Sequence, residues 1–252
     1  MPQYSPSDLP AVLREMLQTG SYRDQQGVVQ TLHSNVSLEE ALALYGMVRD
    51  LKPKASAEIG FALGISGLAI LSALEANGQG RHYVSDPFQT SFVGGMGREN
   101  ARRAGLEHRL EFYEKFPEEA VPQFPPVQFA FIDASHLFDL SILDFVLVDK
   151  RLEVGGVVGF HDLWMPSLRK VVRHILANRA YRVHPASPPG APLTAKQKFR
   201  SGLCAVARQL PWASRWLAPE AARPWHEFRL ANLVLLEKIG EDRRDWREHQ
   251  TF

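Results

Sequence analysis

Six acidic or imidazole side chains could do chemistry together if the fold gathers them: Glu58, Asp86, Asp133, His136, His161 and Asp162. Carboxylates accept hydrogen bonds from hydroxyls and hold divalent cations. An imidazole, with an ordinary pKa of about 6.5, can take a proton near neutral pH. Four of these positions follow short apolar runs. Glu58 lies in SAEIG, Asp86 closes HYVSD, Asp133 closes QFAFID, and His161-Asp162 follows GVVGF. Core packing alone does not choose charged groups at successive strand ends, because such groups are rarely buried without a role.

The stretch AEIGFALGISGLAI (57–70) reads as a strand, a glycine turn and the start of a helix. A phosphate-cradling P-loop needs Gly-Lys-Ser/Thr, and no lysine lies between Ala55 and Gly80. The dinucleotide fingerprint G-x-G-x-x-G is absent too, since the glycines fall at Gly60, Gly64 and Gly67. Glu58 beside the turn disfavours an anion. Asp86, ending the next strand, is placed to accept hydrogen bonds from a ribose diol. These features point to a nucleoside without a pyrophosphate, and S-adenosylmethionine fits both.

The elements that must position these residues alternate in type. SLEEALALYGMVRD (37–50) reads as a helix, with Ser37 as N-cap and Glu39 and Glu40 in its first turn. Strands are expected at 56–60, 82–86, 109–113, 128–133 and 156–161, with helices near 66–76, 95–105, 138–150 and 166–178. That alternation argues for βαβ units and a parallel sheet. The runs 129–132 and 157–160 are apolar without alternation, as in strands buried on both faces. After the proline-rich 185–192 comes a helical insertion, and 229–239 reads as a late strand. The expected organisation is an N-terminal extension (1–36) and one α/β domain (37–252) in which 185–228 is an insertion or lid.

Charges nearly cancel, 29 basic against 28 acidic, so no nucleic-acid partner is expected. The single cysteine, Cys204, excludes an internal disulfide and a Cys-based structural zinc site. The first twenty residues lack a basic start followed by an apolar core, and no run approaches the ~18 apolar residues of a membrane span. A soluble cytoplasmic protein is the expectation.

The segments EIGFALGIS, SDPFQTSFVGGMGRENARRAGL, FIDASHLFDLSILDFVLVDKRLEVGGVVGFHDLWMPS and VLLEKIGEDRRDWREH together resemble the class I S-adenosylmethionine-dependent methyltransferases. The likeness is to the small-molecule O-methyltransferase branch, through the D-P-F-Q and F-I-D-x-x-H elements. It implies a Rossmann-like seven-stranded sheet of order 3-2-1-4-5-7-6 with an antiparallel last strand. It also implies that Glu58, Gly60, Gly64 and Ser66 line the methionine end, Asp86 the ribose and Asp133 the region under the sulfonium. In the catechol-type relatives, two aspartates and an asparagine hold magnesium, and a lysine is the base. Asp133 and Asp162 match the metal aspartates here, Leu163 stands at the asparagine position and His136 at the lysine position.

The function expected is therefore S-adenosylmethionine-dependent O-methylation of a small-molecule or glycosylated metabolite, with His136 as base and Asp133 with Asp162 as an electrostatic pair or a Mg2+ site. His136 could instead cap the following helix and orient Asp133. His161 is open between ligand, second base and partner of Asp162. Alternatives are a non-catalytic scaffold that keeps the cofactor fold and a nicotinamide-dependent oxidoreductase, the latter disfavoured by the missing fingerprint. His82 reads as ordinary. Asp139 reads as a first-turn charge, and Asp144 faces an apolar stretch where a basic partner would be expected. Trp164, Met165 and Pro166 could wall the acceptor or cap the next helix. In the insertion, Phe199, Leu203, Val206 and Leu210 share a helical face among basic residues, with Trp212 and Trp216 following. A lid comes first, a homodimer contact second, and a peripheral membrane contact through 195–217 third.

Overall fold

Ser37 and Glu40 form a capping box: Ser37 Oγ accepts from the Glu40 N–H at 3.2 Å, and Glu40 Oε2 accepts from the Ser37 N–H at 2.8 Å. This starts α2 (Leu38–Leu51), as the sequence predicts. The computed structural model describes residues 4–33, 35–209, 225–228 and 230–252. Before α2 come α1 (Ala11–Thr19) and a small hairpin, β1 (Ser21–Arg23) with β2 (Val29–Thr31).

The expected alternation follows. It comprises β3 (Ala55–Ile59), α3 (Ile65–Ala76), β4 (Arg81–Ser85), the short α4 (Gln89–Val93), α5 (Met96–Arg103) and β5 (Leu110–Tyr113). Then come α6 (Pro117–Ala120), β6 (Val127–Ile132), α7 (Phe138–Asp149), β7 (Leu152–Phe160), α8 (Pro166–Asn178), β8 (Tyr181–Val183), α9 (Ala195–Gln209) and β9 (Val234–Lys238). The sheet order is β5-β4-β3-β6-β7-β9-β8, which is 3-2-1-4-5-7-6 when only these seven strands are counted. β9 runs antiparallel to β7 and β8, and the other pairs are parallel.

The unbroken apolar runs have the expected cause. Phe129 and Phe131 of β6 pack with α1, α2 and α3 on one face, while Ala130 and Ile132 pack with α7 and α8 on the other. Leu13 and Met16 of α1 join the first of these cores. All the strand carboxyl ends on the β3–β6 side meet at the reversal between β3 and β6, the place where such sheets bind ligands.

The glycine turn after β3 is shaped by one aromatic ring. Phe61 is buried and packs edge-on to Phe112 at 5.6 Å. A Cβ at Gly67 would lie 2.1 Å from the Phe61 ring, so only glycine lets α3 pass it. An alanine there would gain about 1 kcal/mol of helix propensity. The clash with an enclosed ring would cost about 1–3 kcal/mol. Gly67→Ala is therefore expected to lose up to about 2 kcal/mol in urea unfolding, with Phe61→Leu recovering part of it in the double variant.

Candidate active site

A cavity of about 480 Å³ opens at the carboxyl ends of β3, β4 and β6. Gly60, Ala62, Asp86, Phe88, Phe116, Glu118, Asp133 and Asp144 are among its lining residues. Gly60 has φ +86°, and a Cβ on it would lie 2.1 Å from the Asp133 carbonyl oxygen. So the glycine lets the ends of β3 and β6 approach each other at the cavity floor.

Asp86 organises the turn. Its Oδ2 accepts from the N–H groups of Phe61 (3.1 Å) and Ala62 (2.9 Å), and its Oδ1 accepts from that of Phe88 (2.9 Å). A carboxylate has about four acceptor sites, so Oδ1 keeps capacity toward the cavity it lines. Glu58, Gly64 and Ser66 do not line this cavity. Glu58 is fully buried, 2.7 Å from His82 Nε2, and also accepts from the Ser66 hydroxyl. Burial raises its pKa, against the pull of His82 and Ser66. His82 in turn meets Ser56 Oγ through Nδ1 at 2.9 Å. Glu58 thus ties β3, β4 and α3 together beneath the turn, and His82 is its structural partner.

Beside the cavity lies an imidazole–carboxylate cluster. His136 Nε2 is 3.1 Å from Asp133 Oδ1 and 3.0 Å from Asp162 Oδ2. Asp133 reaches it from the end of β6 and Asp162 from the end of β7. His136 (φ +60°) and Asp162 (φ +57°) both adopt left-handed backbone. For non-glycine residues that costs about 1–3 kcal/mol each, a strain that clusters at functional sites. Hydrogen bonding to Asp133 raises the His136 pKa, with burial opposing.

His161 is buried behind the aspartates. Its Nδ1 lies 3.4 Å from Asp133 Oδ2 and 3.3 Å from Asp162 Oδ1 without making a hydrogen bond, and its Nε2 is 3.3 Å from Glu40 Oε2. Burial alone would lower its pKa, but Asp133 and Glu40 outweigh that and hold it at about 10. Burial would likewise raise Asp133 and Glu40, yet the histidines hold Asp133 at about 2, and His161 and Ser37 hold Glu40 at about 2.

Among the described residues, Asp133, His136 and Asp162 form a group whose ligand atoms lie within 4.8 Å of one another. Leu163, at the asparagine position, is buried in the core. An asparagine does approach, from elsewhere in the chain: Asn232 Nδ2 is 3.1 Å from His161 Nε2, and its Oδ1 accepts from the Trp164 N–H at 3.3 Å. It faces His161.

The sequence reading misses Glu40, His82 and Asn232. The capping box signals Glu40 as a helix start, but nothing local signals its reach to His161. Among the described residues Asp144 meets no basic partner: burial, with repulsion from Glu118, raises it to about 7. Trp164 is exposed and donates Nε1–H to Asp162 Oδ1 at 3.0 Å, while Met165 and Pro166 begin α8. A second groove, of about 480 Å³, runs between Trp164, Arg169 and Asn232 and the insertion residues 190–194. On α9, Phe199, Leu203 and Val206 are exposed. Leu210, Trp212 and Trp216 lie outside the described residues. Among the described residues, no helix is long and apolar enough to cross a membrane.

Residues 57–163 match a family model described as a methyltransferase domain. Tapetum-specific methyltransferase 1 of Arabidopsis thaliana is 28% identical over 154 residues, which cover 58% of this chain and 64% of that protein. The chain therefore spans less than two thirds of that relative's length. Among solved structures, the O-methyltransferase from Bacillus cereus in complex with SAH is similar at 20% identity and TM-score 0.52, over 60% of this chain and 74% of that one. The SAH-bound Podospora anserina methyltransferase PaMTH1 is similar at 16% identity and TM-score 0.54, over 70% of this chain and 83% of that one. At these identities the structures share the fold.

Two stability outcomes follow from the charges. Folded Asp144 keeps its proton to about pH 7, whereas its ordinary value is 3.8, so its contribution to stability falls as pH rises between those values. Asp144→Asn should raise the melting temperature at pH 8 by roughly 2–4 °C, and less at pH 4, in a calorimetric scan. Glu40→Gln should instead cost about 1–3 kcal/mol at pH 6 in urea unfolding. That deficit should shrink as pH falls from 4.5 toward about 2, where Glu40 itself loses its charge.

Proposed function

We propose that this chain, whose residues 57–163 match a methyltransferase-domain model, is a class I S-adenosylmethionine-dependent O-methyltransferase acting on a small hydroxylated molecule, glycosylated metabolites included. One observation carries the reading. Asp133 lines the nucleoside-sized cavity on one side and is ion-paired to His136 on the other, so cofactor and acceptor sites meet at one carboxylate.

The residues present fit the cofactor. The cavity volume is within the usual ligand range of about 300–1,000 Å³. Asp86 keeps an acceptor for the ribose diol, Gly60 opens the floor, and the Asp133 carboxylate suits a sulfonium cation above it. Glu58, Gly64 and Ser66 support that site from below. When bound, S-adenosylmethionine supplies an activated methyl group whose transfer forms an oxygen–carbon bond as the sulfur–carbon bond breaks. The chain's own task is to align the acceptor oxygen and take its proton.

His136 is the proposed base. Its imidazole is half-buried at the junction, fixed by two carboxylates that stabilise the imidazolium it becomes. Hydrogen bonding to Asp133 favours its imidazolium form, and the base-competent neutral form grows as pH rises. Asp133 and Asp162 would also hold a divalent cation, Mg2+ among them, supplying charge to a developing alkoxide. With an imidazole beside two carboxylates, the donor set also suits softer divalent ions. The groove between Trp164 and residues 190–194 is the proposed acceptor entrance, with α9 as its lid.

Titration calorimetry should show S-adenosylmethionine binding and no NAD binding. Equal binding of both would remove the assignment. With an accepted substrate, His136→Ala should leave cofactor affinity near wild type and lower kcat by roughly 100-fold or more. Unchanged turnover would exclude His136 as base. A chelator that leaves kcat intact would reduce Asp133 and Asp162 to an electrostatic pair.

A further inference from the structure

Asp144 lies in the middle of α7, only 5% exposed, on the wall of the nucleoside cavity. Among the described residues it accepts no hydrogen bond, and the charge acting on it is the like charge of Glu118 from α6. A buried carboxyl without a donor is costly. Its neighbours on the same wall, Leu140 and Leu143, are apolar.

The rest of the wall indicates what fills the gap. Phe88 and Phe116 sit edge to face at 5.8 Å, both about half exposed, and line the cavity with Pro87 and Pro117. Together they form an apolar corner against which a flat aromatic ring can lie. Asp86, with its remaining acceptor, lines the same cavity beside Phe88. A nucleoside whose diol meets Asp86 lays its base along this apolar wall, and the base's polar edge then meets the side of the cavity that carries the buried, unpartnered Asp144, whereas Glu118 on the same cavity is exposed to solvent.

We propose that Asp144 accepts a hydrogen bond from the exocyclic amino group of the adenine ring and thereby sets the base specificity of the cavity. This rests on the cavity being the S-adenosylmethionine site. The carboxylate rejects a base that presents a carbonyl at that position, because two acceptors would face each other without a proton. The selectivity lies in this side chain, since the apolar corner of Phe88 and Phe116 packs against any base.

The test is calorimetric titration at pH 8.5 with S-adenosylhomocysteine and with S-inosylhomocysteine, in which the amine is replaced by a carbonyl. Wild-type protein should prefer the adenine compound by at least ~10-fold, as for a charged acceptor losing its donor. Asp144→Asn can turn its amide to donate to the carbonyl, so its preference should fall to about threefold or less. A melting scan of the variant verifies its fold, and the wild-type ratio needs no variant. Equal binding of both ligands by wild type, or full preference retained in Asp144→Asn, overturns the assignment of Asp144 alone. Binding of neither ligand by wild type overturns the cofactor reading and this inference with it.

Discussion

One imidazole held between two carboxylates is the interaction on which the active-site account depends. His136 Nε2 bridges Asp133 and Asp162, which arrive on adjacent parallel strands, β6 and β7. Two carboxylates this close repel unless a cation lies between them, and the imidazole or a metal can fill that role. His161, held charged by its acidic neighbours, and Glu40 extend the same balance to the start of α2. Helix α2 is thereby electrostatically coupled to strand ends that are far away in the chain. Left-handed backbone at His136 and Asp162 is the cost of aiming both side chains at one point.

The glycine turn serves this arrangement indirectly. Glycines at a strand-to-helix turn suggest a ligand against the backbone, yet here much of their need comes from the protein itself. Gly67 clears the Phe61 ring, and Gly60 clears the Asp133 carbonyl. Asp86 holds the turn by three backbone N–H groups and still faces the cavity. Close packing of β3 against β6 and recognition of a nucleoside thus draw on the same few residues.

Strands β6 and β7 were legible because each holds an unbroken apolar run followed by a charged or imidazole group, and α2 because its capping box and spacing are strong. Three-residue elements such as β8 carry too little pattern to be read. At the site, Asp86, Asp133, His136 and Asp162 were legible as strand-end or near-strand-end groups, and the structure brings them to one region. Glu58 was harder: proximity to the turn suggests a cavity residue, but it faces His82 and α3 in the sheet interior. Glu40 and His161 are 121 residues apart, and only the fold joins them. Asp144 shows a different limit, because no sequence pattern reveals that its neighbour is another carboxylate.

The most direct measurement is a crystal structure of the protein with S-adenosylhomocysteine. The account predicts the ribose hydroxyls on Asp86, the sulfur above Asp133 and the base against Phe88 and Phe116, with His136 open to the acceptor side. A ligand bound elsewhere, or one whose ribose leaves Asp86 untouched and whose sulfur lies away from Asp133, would contradict it.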